Sequence, residues 1–127
     1  MFNTSNTIEI SANATDNGAV GAILANITFP NGTVQQLVLV NSVGNKFNLS
    51  FTIPSLPGNY NVTFIANDTG GNVNTSERTN FTVNDVVSPQ VFDLRPIASS
   101  AFEFNSSIEI AANVTDNVAV GTVFANV

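Results

Sequence analysis

Eleven asparagines in this chain open an Asn-X-Ser/Thr triplet in which X is never proline: Asn3, Asn13, Asn26, Asn31, Asn48, Asn61, Asn67, Asn74, Asn80, Asn105 and Asn113. Such a triplet is the acceptor for Asn-linked glycan, in which a sugar is joined to the side-chain amide nitrogen. With 20 Asn and 24 Ser or Thr among 127 residues, accidental placement gives about four triplets of this kind. The excess is large enough to treat as a signal. A Ser/Thr/Asn-rich surface would also make such triplets, so their position matters. Asn13, Asn48, Asn61, Asn67 and Asn80 fall between apolar neighbours that alternate with them, the register of residues that face water on a half-buried strand. A glycan needs that exposure.

Other reactive chemistry is scarce. The chain has no His and no Cys, which removes the usual nucleophile-base triads and the usual zinc and copper ligands. Glu9 and Glu109 each lie between isoleucines, so they face solvent, and no spacing brings two acids together as a glycosidase pair requires. Asp16, Asn17, Asp68, Asn72 and Asp85 sit at turns or in a linker, where oxygen ligands could hold calcium. Capping of those turns is the simpler reading, because no Asp-rich loop of metal-ligand spacing occurs. The expectation is a chain that is not an enzyme and takes no cofactor or metal.

Composition narrows the partners. Only 9% of the residues are charged, and nine acids face three basic residues, Lys46, Arg78 and Arg95. No basic patch is available for nucleic acid or for anionic lipid. No apolar run is long enough to span a membrane. Surface polarity must come from uncharged Asn, Ser and Thr, and neutral glycans would add to it.

The elements that position the acceptors are strands. Runs rich in Val, Ile, Phe and Thr alternate apolar with polar and are separated by Asn, Gly, Pro and Asp, as in an all-β sandwich. Strands are expected near 7–15, 20–29, 34–40, 46–53, 59–67 and 79–83. Phe47, Leu49, Phe51 and Ile53 should share a core face, as should Tyr60, Val62, Phe64 and Ala66, and Ile8, Ile10, Ala12 and Ala14. In the third strand Ile23, Ala25, Ile27 and Phe29 should face inward, leaving Val20, Ala22 and Leu24 as an outward apolar row.

The opening strand returns. Ile8 to Ile27 and Ile108 to Val127 match at 13 of 20 positions, a period of 100 that marks a tandem repeat of domain size. The copy should keep Ile108, Ile110, Ala112 and Val114 on its core side. Four pieces, TDNGAVG with its copy TDNVAVG, GNYNV at 58–62, ANDTGGN at 66–72 and DVVSP at 85–89, resemble the immunoglobulin-like repeat domains of prokaryotic, above all archaeal, surface proteins. The resemblance implies an immunoglobulin-like antiparallel β-sandwich of about seven strands with tandem period near 100. It implies that 1–88 form one repeat lacking its first strand. Residues 89–127 would then supply a linker and the first strands of the next repeat, with QVFDLRPI at 90–97 as its first strand. The chain is expected either as a window on an array or as a subunit whose strand completes a neighbour.

These readings together imply a structural repeat module of a heavily N-glycosylated extracellular filament, stalk or S-layer protein at the cell surface. Its partners would be neighbouring repeats or identical subunits, and its N-linked glycans. The alternative is an adhesin or carbohydrate-binding module that uses loops such as DTGGN or PNGT.

Overall fold

The computed structural model describes all 127 residues, and its regular elements are strands throughout. The chain divides into two units, Met1–Asp85 and Val86–Val127. In the first, the strands are β1 (Phe2–Asn3), β2 (Thr7–Asn13), β3 (Val20–Thr28), β4 (Val34–Val43), β5 (Lys46–Thr52), β6 (Gly58–Asp68), β7 (Val73–Asn74) and β8 (Arg78–Asn84). They form one curled sheet in the order β1-β8-β6-β3-β4-β5-β2, with β7 added to β6. The curl gives a sandwich-like fold.

The turn from one layer to the other is made inside β4. Its first part, Val34 to Leu39, pairs with β3, and its last part, Val40 to Val43, pairs with β5. Leu37 and Leu39 are buried, whereas every residue from Val40 to Val43 is exposed, so the inward alternation stops where the strand changes layer.

The core follows from the period-two pattern. Ile23, Ala25 and Ile27 of β3 and Tyr60 and Val62 of β6 are buried, with Phe51 and Ile53 from the β5 side. Phe47, Leu49, Phe64, Ala66, Ile8 and Ala14 pack around them, on the inward registers expected. Complete burial of a side chain such as Ile23 or Ile27 contributes about 1.5–3 kcal/mol. Around Tyr60, Phe81 stacks at 5.0 Å and Phe29 lies tilted at 5.2 Å.

Two local features depart from simple alternation. A bulge lies between Val20 and Ile23 where β3 meets β6, so Val20 joins the core-packed residues while Gly21 and Ala22 stay exposed. The expected outward row therefore loses Val20. Second, the sheet is mixed: β1 pairs parallel with β8, Phe2 opposite Val83. Ser5 takes a left-handed φ of 66°, and the chain then crosses layers, Thr4 N donating to Asn84 O and Ser5 N to Ile53 O. β2 pairs with β5 alone, so its other edge is unpaired.

The second unit holds two antiparallel strands, β9 (Gln90–Arg95) and β10 (Ala111–Thr115). No strand follows Thr115. Most of the copied core row is exposed here: Ile108 is 45% exposed and Ile110 48%, Ala112 is also exposed, and Val114 is half-buried. Two strands have no second layer to pack upon, so the copies of Ile8 and Ile10 meet solvent in this unit.

Candidate functional site

The period-two geometry gives the acceptor triplets a common placement. In a strand, Asn and the hydroxyl residue two positions on share a face, and X points to the other. In β3, Asn26 and Thr28 flank buried Ile27; in β6, Asn61 and Thr63 flank buried Val62; in β8, Asn80 and Thr82 flank half-buried Phe81. X supplies the core while the acceptor and its hydroxyl face out.

These three acceptors are close neighbours. Across β3, β6 and β8 the register places Thr28 opposite Asn61 and Asn61 opposite Asn80. Directly opposed residues in an antiparallel pair have Cβ atoms about 4.5–5.5 Å apart. On the other layer, Asn48 of β5 is opposite Ser11 of β2 and Val40 of β4, and Asn13 is opposite Lys46. Acceptors thus occupy both outer faces of the first unit.

The remaining acceptors lie at ends and turns. Asn31 Oδ1 accepts from Thr33 N at 3.0 Å. Asn74 Oδ1 accepts from both Ser76 N at 2.9 Å and Ser76 Oγ at 2.8 Å, which holds the hydroxyl of its own triplet against the acceptor amide. Asn67 Oδ1 accepts from Ala22 N at the β3 bulge. Asn3 starts the chain's first turn, and Asn105, with φ 63°, and Asn113 belong to the second unit. Asn113 Nδ2 donates to Asp93 Oδ2 at 2.9 Å. Of the eleven acceptors, Asn3, Asn26 and Asn48 are half-buried, the other eight are exposed, and none is buried.

The charged candidates resolve into ordinary surface chemistry. Lys46 Nζ pairs with Glu9 Oε1 at 2.7 Å on the outer face, and this hydrogen bond holds the Glu9 carboxyl below its ordinary range. Opposed β2 and β5 bring these two charges together. Asp16 Oδ2 accepts from Gly18 N at 2.8 Å. Asp68 accepts from Asn72 N at 2.8 Å and from Asn72 Nδ2 at 2.7 Å, and these bonds lower its pKa. The side chains at both turns are thereby engaged in closing them.

Two surface features went unread in the sequence. Ile65, Leu24 and Val38 are opposed in register across β6, β3 and β4 and make an apolar strip on the outer face, Val38 being 60% exposed. Leu24 alone of the expected outward row belongs to it. A cavity of about 620 Å³ opens between the end of β2 and the start of β8, with Ala12, Ala14, Ile23, Phe64, Glu77 and Arg78 on its walls.

No family model, curated protein or solved structure matches this chain.

Proposed function

We propose that the chain is a structural repeat module of a heavily N-glycosylated extracellular filament, stalk or S-layer protein, acting by rigid spacing and subunit association. The observation that carries this reading is the placement of the acceptors: eleven triplets, none with a buried Asn, disposed over both outer faces and the ends. Dense neutral glycan would keep a surface with 9% charged residues wet.

The immunoglobulin-like character belongs to the same proposal. Its support is Tyr60, near the start of β6, whose hydroxyl bonds the backbone four residues upstream; immunoglobulin-type sandwiches place a tyrosine in that manner at a strand corner. The chain's repeat supplies the spacing role, since a module that recurs with one period sets a fixed rise per domain.

The test is intact mass measurement of protein from its native source beside negative-stain microscopy of the same material. Mass well above that of the polypeptide together with fibres or a lattice supports the reading. An unmodified, dispersed monomer rejects it.

A further inference from the structure

The two copies of the repeated strand are in different states. In the second unit β10, Ala111–Thr115, is paired with β9: Ala111 lies opposite Arg95, Asn113 opposite Phe92, Val114 opposite Val91 and Thr115 opposite Gln90. Its counterpart in the first unit, Ser11 to Thr15, has the sequence SANAT against AANVT and carries β5 on one edge only. Ala14 N donates toward β5, to Asn45 O. Because successive strand N–H groups alternate in direction, those of Asn13 and Thr15 face the empty edge. Unpaired strand edges are templates for a further strand.

The empty edge borders a volume that such a strand would fill. Ala12, Asn13, Ala14 and Thr15 line the 620 Å³ cavity, whose floor includes Ile23, Phe64 and Ala66. The side chains on the β2 wall are small. In β9, Val91 and Leu94 are each 57% exposed and have no core of their own.

We propose that the free edge of Ala12 to Thr15 receives β9, Gln90–Arg95, from a second copy of the chain, β9 leaving β10 of its own chain and taking on β2 the register it has with β10. Carried over by 100 residues, that register sets Gln90 opposite Thr15, Val91 opposite Ala14, Phe92 opposite Asn13 and Arg95 opposite Ser11. Two residues, Asp93 and Leu94, face the single position Ala112 in β10, a bulge accommodated by the left-handed φ of 50° at Asp93; they would face Ala12 in the same way. Val91 shares the core-facing side with Ala14, and Asp93 can accept from the Asn13 amide as it does from Asn113.

Chain length selects the second copy over the chain's own β9. Asn84 is fixed at the far end of β2, where its carbonyl accepts from Thr4 N. β2 itself, Thr7–Asn13, spans roughly 20 Å of rise, and Thr15 lies beyond its other end. The link from Asn84 to Gln90 reaches at most about 20 Å when fully extended, too short to bring Gln90 beside Thr15.

The inference rests on the proposed reading of the chain as an associating module and names the contact by which it associates. It is tested on unglycosylated recombinant chain, so its failure leaves the glycan question untouched, and bare asparagines on native protein would leave this contact standing. The chain has no cysteine, so introduced thiols report cleanly. An Ala14→Cys chain mixed with a Val91→Cys chain under mild oxidation should give a disulfide-linked heterodimer. A chain carrying both substitutions should give a ladder of multimers. Val91→Cys with Val114→Cys, linked within one chain, holds β9 on β10 and should prevent the association; multimers undiminished by that link would also overturn the proposal. In uncrosslinked chains, Val91→Asp with Leu94→Asp should abolish association seen by sedimentation and leave the first unit's thermal transition in place. Monomers only, a ring-closed monomer from the double variant, or equal crosslinking of Val91→Cys to an Asn48→Cys chain would each overturn the proposal.

Discussion

The Tyr60 hydroxyl donates a 2.7 Å hydrogen bond to the carbonyl oxygen of Leu56, across the turn that enters β6. The ring is completely buried and stacks on Phe81, so one side chain fixes both the core and the turn.

Tyr60→Phe keeps the ring and removes the donor. The Leu56 carbonyl then loses its partner, which should cost about 1–2 kcal/mol and lower the thermal midpoint by several degrees. Denaturant unfolding with an unchanged slope checks this. An unaltered midpoint would mean that the hydroxyl bond does not hold the turn.

The β3 bulge depends on a close approach of Gly21 to Asn67. A Cβ on Gly21 would lie 2.7 Å from Asn67 Oδ1 and 3.1 Å from Asn67 O. Gly21→Ala should therefore destabilise by about 1–3 kcal/mol, and Asn67→Ala should cost about 1 kcal/mol through the lost bond to Ala22 N. Since both act on one bulge, their effects in the double variant should fall short of the sum. Strict additivity would separate the two sites.

The repeat offers an internal comparison. Ile10 is 6% exposed and its copy Ile110 is 48% exposed. Ile10→Ala should cost about 2–4 kcal/mol, whereas Ile110→Ala should stay within about 0.5 kcal/mol. Equal costs would show that the second unit buries its isoleucine as the first does.

Much of this fold is legible in the sequence. β5 and β6 alternate strictly, so their inward residues, Phe51 and Tyr60 among them, could be read directly. β1 and β7 could not, because two residues such as Phe2–Asn3 carry no period. The end of β4 was missed for a related reason: Val40 to Val43 changes layers and exposes both parities. Gly21 inside a strand is a bulge signal, and it marks where Val20 turned inward against expectation. The acceptor triplets were found from sequence in full. Their opposition, Asn61 to Asn80, arises from pairing between distant segments, which no local pattern encodes.

Acid should weaken the first unit through Glu9 and Asp68. Both carboxyls have folded pKa values below their ordinary ones, Glu9 through Lys46 and Asp68 through Asn72. Their contribution is present above the unfolded pKa and is lost as pH falls through the folded pKa. Denaturation midpoints should hold from neutral pH down to the ordinary carboxylate range and then decline. Glu9→Gln combined with Asp68→Asn should flatten that decline, and high salt should reduce the Glu9 share because the pair is exposed. Superimposable acid limbs for parent and variant would contradict the assignment.

The most direct test of the central claim is site-resolved glycopeptide mapping of protein from its native source. The expected result is sugar on the strand acceptors Asn48, Asn61 and Asn80, with total mass well above the 13.3 kDa of the polypeptide. Unmodified asparagine at all three, on a chain of the polypeptide mass, would contradict the account and reduce the triplets to a consequence of composition.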